Sequence, residues 1–243
     1  MKKYLILLCC ITFSSWAQKT TIYTIGDSTM ANKIDPDQNP ERGWGQMLQP
    51  FFNDNVLIDN RAVNGRSTRS FIDLKLWDAV YESLKKGDYV FIQFGHNDGK
   101  TTDPTRYTNP HTSYRHNLIR FVKEARNKGA TPILFSSITR RTFNEQGVLI
   151  DSHGDYTLEM RLVAAEYKVP FIDMQYHTEL LEERYGVEKS KELHLHFAPN
   201  SNNYIPKGIE DNTHLSVLGA TEIAKIAVDQ LKKSKLPISK LLK

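Results

Sequence analysis

The spacing of apolar residues changes repeatedly along the chain, and the changes predict alternating strands and helices. Residues 20–25 (TTIYTI) form a β-branched run that ends at a glycine, and residues 56–58 form a short second strand. Residues 88–94 (DYVFIQF) are apolar at positions that would face both ways, the pattern of a central strand in a parallel sheet. Residues 131–138 and 169–173 read as two further strands. Between them, residues 71–84 place Phe71, Leu74, Trp77, Val80, Tyr81 and Leu84 three and four apart, the spacing of one helical face. Residues 116–128 do the same with Leu118, Ile119, Val122 and Ala125, and stop at Gly129. Residues 156–167, 176–185 and 216–232 complete the predicted helices, the last with Val217, Ala220, Ile223, Ala224, Ala227 and Leu231 on one side.

This alternation predicts an α/β fold, a three-layer α/β/α sandwich around a five-stranded parallel sheet with right-handed crossovers. Ligands bind beyond the carboxyl ends of the strands in such a sheet, so chemistry is expected in the residues that follow each strand. Residues 189–212, rich in Asn, Pro, His and Lys, read as one long loop.

The amino-terminal stretch has a different character. Lys2 and Lys3 precede an apolar run over residues 4–13, and Ser15-Trp16-Ala17 puts small residues at the two positions a signal peptidase reads. Residues 1–18 are therefore expected to be a secretory signal peptide, leaving residues 19–243 as one domain in the periplasm or outside the cell. The apolar run is well short of the roughly 20 residues a membrane span needs, and no later segment is apolar enough to cross. Both cysteines, Cys9 and Cys10, fall inside this leader, so no disulfide or thiolate chemistry is expected in the mature chain, although either could be a lipid-attachment site. Losing Lys2 and Lys3 lowers the net charge from +4 to +2, too mild to argue for nucleic acid as a partner.

Four short segments carry candidate chemistry. Gly26-Asp27-Ser28-Thr29-Met30 follows the first strand, where a serine would point into the cleft as a nucleophile or cap a helix. Asn64-Gly65-Arg66-Ser67 follows the second strand, as a simple turn or as a glycine whose N–H can approach a reacting oxygen. Gly95-His96-Asn97-Asp98 follows the third, with the Asn97 amide a possible donor at the cleft mouth. Asp211-Asn212-Thr213-His214 is expected to open the last helix, where an acid and a histidine three apart can share a face.

The order of these blocks resembles the SGNH, or GDSL-like, hydrolases over nearly the whole mature chain. The four name-giving residues correspond to Ser28, Gly65, Asn97 and His214, with GDST standing in place of the literal GDSL. The segments GDSTMA, NGRSTRSF, FGHNDG and KGIEDNTHLS resemble the rhamnogalacturonan acetylesterase branch. The resemblance implies a flavodoxin-like sheet, a Ser28–His214–Asp211 triad, and an oxyanion hole built from the N–H groups of Ser28 and Gly65 and the Asn97 amide. It further implies removal of acetyl groups from an acidic plant cell-wall polysaccharide, with no cofactor.

Candidate substrate contacts are Arg66 and Arg69 after the second block, Arg140 and Arg141 after the fourth strand, and His96. Arginine pairs with a carboxylate, such as that of galacturonate, through two parallel hydrogen bonds. His194 and His196 alternate as zinc ligands would on an extended stretch, but no acid is clearly placed to complete a site, and no metal is expected. His111, His116, His153 and His177 read as surface or helix-start residues, and Trp44, Tyr107 and Tyr204 as either sugar-stacking or packing aromatics. Two other functions remain open on sequence alone. One is a lipase, thioesterase or lysophospholipase with an apolar acyl channel. The other is a silent carbohydrate-binding protein, which would be marked by loss of a triad residue.

Overall fold

The computed structural model describes residues 19–243; the expected leader, with both cysteines, lies outside the described residues. In chain order the elements are β1 (Thr20–Gly26), β2 (Glu41–Arg42), β3 (Val56–Asn60), α1 (Thr68–Asp73), α2 (Leu76–Ser83) and β4 (Tyr89–Gln93). Then come α3 (Arg115–Asn127), β5 (Thr131–Phe135), α4 (Asp155–Glu166), β6 (Phe171–Ile172), α5 (Met174–Lys189), β7 (His194–Phe197), β8 (Ile209–Ser216) and α6 (Val217–Lys233). Five strands form one sheet in the order β3-β1-β4-β5-β6, with every neighbouring pair parallel.

The alternation of side chains across a strand explains the three layers. Ile22, Phe91, Ile133 and Phe135 face a core closed by Ile223, Ala224, Ala227 and Leu231 of α6 and by Leu181 of α5. Ile25, Val90, Ile92 and Leu134 face the opposite core, filled by Phe71, Trp77, Phe121 and Met160 from α1 to α4. Both cores are fully buried. At roughly 1.5–3 kcal/mol for each large side chain removed from water, they supply the main drive for folding.

Three expectations are corrected. The helix expected over residues 71–84 is two helices, because Lys75 adopts φ +56° and ends the first run. The loop expected over residues 189–212 is narrowed to residues 198–208, because Ser190–Leu193 form a 3-10 turn and the strand β7 pairs antiparallel with β8, which starts at Ile209. Asp211 and His214 therefore lie on a strand, and the last helix starts after Ser216, whose side chain caps Gly219 N at 3.1 Å. The strands β2, β8 and β7 form a second, three-stranded sheet at the carboxyl end of the parallel one.

Candidate active site

Ser28 occupies the tight turn that follows β1. The turn closes through Met30 and Ala31 N–H groups donating to the Asp27 carbonyl at 3.2 and 3.0 Å, and no helix begins there, so Ser28 is not a cap. A side chain at position 26 would place its Cβ 2.6 Å from the Gln93 carbonyl oxygen, which is why glycine precedes the turn. A buried polar chain holds it from below. The Thr29 hydroxyl donates to Asp27 Oδ1 at 2.8 Å, Gln93 Nε2 donates to Thr29 Oγ1 at 2.8 Å, and Trp44 Nε1 donates to Gln93 Oε1 at 2.6 Å. Trp44 is thus a core residue, stacked near Phe135, rather than a sugar platform.

His214 reaches Ser28 because of an irregularity in β8. Adjacent β7 residues His194 and Leu195 pair with Leu215 and Asp211, so residues 212–214 have no partners on β7 and bulge away from it. Asp211 Oδ1 accepts from the Thr213 and His214 N–H groups at 2.7 and 2.9 Å, which closes the bulge. His214 Nδ1 then lies 2.7 Å from Asp211 Oδ2, and His214 Nε2 lies 2.9 Å from Ser28 Oγ. The sequence separates these last two residues by 186 positions.

The charges on the pair follow from these contacts. Burial by itself would raise the Asp211 carboxyl, but the His214 ring and the two backbone N–H groups outweigh it and hold Asp211 well below the usual carboxylate range. The Asp211 hydrogen bond, set against burial, raises the His214 imidazole above its ordinary value. Asp211 accepts from Nδ1, so a neutral His214 carries its proton there and leaves Nε2 as an acceptor for the serine proton.

Gly65 and Asn97 converge on the same cleft, of about 490 Å³. Gly65 has φ +72°, a left-handed backbone that favours glycine. Among the described residues, neither the Gly65 nor the Ser28 N–H enters a turn or loop hydrogen bond. Asn97 is buried, and its Nδ2 donates to the Arg66 carbonyl at 3.1 Å while Arg106 Nη1 faces its Oδ1 at 3.5 Å. These partners fix the amide orientation and leave one Nδ2–H free. Asp98, fully buried, accepts from Thr68 Oγ1 at 2.5 Å and Thr108 Oγ1 at 2.8 Å, tying this loop to α1; burial raises its carboxyl to about 7.

The arginine candidates separate. Arg140 lines the cleft, held by Nη2 to the His96 carbonyl at 3.1 Å, and forms no ion pair among the described residues. Arg141 faces the other way, at the centre of a tight turn in which the Thr142 N–H donates to the Arg140 carbonyl at 2.8 Å. Its guanidinium donates to Ser190 Oγ at 2.9 Å, to Asn212 Oδ1 at 3.0 Å and to the Val187 carbonyl, so it braces the bulge rather than meeting substrate. Arg69 also lies outside the cleft, donating to the Tyr107 carbonyl at 2.8 Å beside Asp73 and Asn117. Arg66 contributes its carbonyl to Asn97, and its buried Nε has no partner among the described residues.

His96 does line the cleft, and His153, expected as a surface or helix-start residue, lies just before α4 and is buried against His96. Asp151 and Glu179 accept from Gln175 Nε2 at 3.4 and 2.5 Å, so Gln175 Oε1 accepts from His153 Nδ1 at 3.0 Å. His153 Nε2 is left to accept from His96 Nδ1 at 3.0 Å. Burial, reinforced by Arg140, lowers His153 to about 3, and burial with His153 and Arg140 lowers His96 well below its usual value, so both rings stay neutral. His194 and His196 turn to separate partners, Glu182 Oε1 at 2.7 Å and Asn212 Oδ1 at 2.8 Å.

Sequence reasoning missed Lys33, Glu41, Lys100 and Arg106. Lys33 sits beneath the Ser28 turn, and the other three line the cleft. They lie in aperiodic loops or on the short edge strand β2, where no local pattern announces their direction.

Residues 24–221 match the model of the GDSL-like lipase/acylhydrolase family. The chain is 40% identical over 217 residues to rhamnogalacturonan acetylesterase RhgT of Bacillus subtilis (strain 168), covering 89% of this chain and 91% of that relative. It is 34% identical over 218 residues to the probable rhamnogalacturonan acetylesterase YesY of the same organism, covering 90% and 95%. Among solved structures, protein YxiM of Bacillus subtilis superposes with a TM-score of 0.77 at 25% identity, covering 90% of this chain and 58% of that one. Axe2, an acetylxylan esterase from Geobacillus stearothermophilus, shares the fold with a TM-score of 0.61 at 16% identity, covering 87% and 94%.

Proposed function

The chain belongs to the GDSL-like lipase/acylhydrolase family, a family of carboxylic ester hydrolases, and from that premise we propose that it is a secreted serine esterase that deacetylates rhamnogalacturonan. The observation that carries the reading is the unbroken Ser28–His214–Asp211 hydrogen-bond chain, at 2.9 and 2.7 Å, opening on a cleft that also holds Gly65 and Asn97.

A serine hydroxyl is a weak nucleophile at neutral pH and needs an adjacent base. Ser28 Oγ attacks the acetyl carbonyl carbon as its proton passes to His214 Nε2, and Asp211 stabilises the imidazolium. The Ser28 and Gly65 N–H groups and Asn97 Nδ2 donate to the developing oxyanion. Collapse releases the sugar oxygen, which takes the proton from His214. Water, deprotonated by the same imidazole, then cleaves acetyl-Ser28 to acetate and free serine.

The cleft lining supports a short acyl group on a polar, acidic carrier. Among the residues that line it there is no leucine, isoleucine, valine or phenylalanine, and Lys100 and Arg140 bring positive charge to it beside Arg106, which is paired with Asp103 at 2.9 Å. That composition is the opposite of an acyl-chain channel. Among the described residues Arg140 has only backbone acceptors for its guanidinium, which leaves its charge free for a sugar carboxylate. The rhamnogalacturonan acetylesterase relatives support the choice of polymer. The amino-terminal residues support export, and among the described residues no helix is long and apolar enough to cross a membrane.

Acetate release should be measured side by side on acetylated rhamnogalacturonan, homogalacturonan and xylan. The expected order places rhamnogalacturonan first. Preference for xylan would overturn the substrate assignment, and a preference for p-nitrophenyl octanoate over the acetate would overturn the short-acyl reading.

A further inference from the structure

Lysine is rarely buried unless its charge is paired, yet Lys33 is 6% exposed and lies directly beneath the nucleophile turn. Its ammonium has three donors, and the structure uses all three on different segments. Nζ donates to the Ser28 carbonyl at 2.7 Å and to Asn64 Oδ1 at 2.7 Å, and it pairs with Glu41 Oε1 at 2.8 Å. Ser28 belongs to the turn after β1, and Asn64 immediately precedes Gly65 after β3. Glu41 is on β2, which pairs with β8 at Ser216, two residues beyond His214. One cation therefore joins the segments that carry the serine and the glycine N–H to β2, the neighbour of the strand that carries the histidine.

We propose that the Lys33–Glu41 pair is a positioning device for catalysis, with Lys33 fixing the serine turn against the Gly65 loop and the pair setting the electrostatic field at His214. The proposal rests on the serine esterase reading. A neutral side chain of similar length offers none of the three donors, and arginine offers a planar fork in place of a tetrahedral set. Because Asn64 Oδ1 is committed to Lys33, a lost ammonium frees the Asn64–Gly65 peptide to turn. Misplacement of a reacting group by about 1 Å can cost on the order of 100-fold in rate.

The two charges act on His214 in opposite senses: Glu41 favours its protonated form and Lys33 opposes it. The other charged or titratable groups around the imidazole are Asp211, Ser28, Asp27 behind the turn, His96 across the cleft, and Lys100, Arg106 and Arg140 along the cleft lining. Glu41→Gln leaves the chemical identity of all of these and the Lys33 contacts to Ser28 and Asn64 in place.

The test uses Lys33→Met, Lys33→Arg and Glu41→Gln with p-nitrophenyl acetate, together with an NMR titration of the His214 ring that needs no turnover. Lys33→Met should lower kcat by about 10- to 100-fold with KM within threefold, and Lys33→Arg should recover little of it. The His214 titration should move up in Lys33→Met and down in Glu41→Gln. Lys33→Met keeping kcat within twofold would overturn the proposal, as would shifts of His214 in the same direction or none. Should Lys33→Met not fold, Glu41→Gln decides alone, since it keeps the contacts to Ser28 and Asn64. A downward shift supports the proposal and an unmoved titration overturns it. Wild-type enzyme inactive on p-nitrophenyl acetate would refute the esterase reading itself, while the NMR shifts would still test the pair.

Discussion

Asn97→Ala removes a group with two separable jobs. In folding, Asn97 Nδ2 satisfies the Arg66 carbonyl at 3.1 Å, a neutral hydrogen bond with a net contribution of about 0.5–1.5 kcal/mol. The contact from Arg106 is longer, at 3.5 Å, and adds little. Loss of about 1 kcal/mol lowers the melting temperature of a domain this size by roughly 2–4 °C, so the variant should fold normally at assay temperature. In catalysis the remaining Nδ2–H is expected to meet negative charge that exists mainly in the transition state. Removing such a donor typically costs about 2.7–4 kcal/mol, or roughly 10²–10³ in turnover. Steady-state kinetics with p-nitrophenyl acetate, beside a thermal melt, should show kcat falling by that factor while KM stays within about threefold. Asn97→Asp provides a control of the same shape. It cannot donate, and its charge opposes the oxyanion, so it should be at least as impaired as the alanine variant. A kcat within threefold of wild type for Asn97→Ala, or a loss confined to KM, would refute the oxyanion role.

Ser28→Ala should abolish deacetylation while leaving the melt within a few degrees, and activity above a few per cent of wild type would remove Ser28 from the mechanism. In the free enzyme kcat/KM should fall as pH drops through the raised His214 titration, because the protonated ring cannot accept the serine proton. Asp211→Asn removes the largest cause of that elevation. The acid limb should therefore move to lower pH while the plateau drops by about 10⁴, and a limb that stays in place would contradict the assignment. Arg140→Gln should raise KM for acetylated rhamnogalacturonan oligosaccharides at least fivefold and leave p-nitrophenyl acetate unchanged. An equal loss on both substrates would point to a structural role through its bonds to the His96 and Ser152 carbonyls.

The sequence by itself determined the layers and the strands. Ile22, Phe91 and Ile133 against Ile25, Val90 and Leu134 are an alternation that any extended backbone must translate into two faces, so the sandwich was legible without contacts. Gly26 and Gly65 were legible as turn residues that end or follow a strand. What local pattern could not carry was direction where the backbone departs from regularity, and pairing across long separations. Asp211 and His214 were expected on a helix, and only the pairing of β8 with β7 reveals the bulge that carries them into the cleft. Arg140 and Arg141 are indistinguishable as letters, and a tight turn centred on Arg141 sends the first to the cleft and the second to Ser190 and Asn212. His153 read as a surface or helix-start residue and Lys33 went unnoticed, because burial of a polar group depends on partners that the chain supplies elsewhere. Those partners are His96 and Gln175 for the first, and Ser28, Asn64 and Glu41 for the second. Periodicity is written in neighbouring residues, whereas a catalytic cleft is assembled by packing, and packing alone brought Ser28 within 2.9 Å of His214.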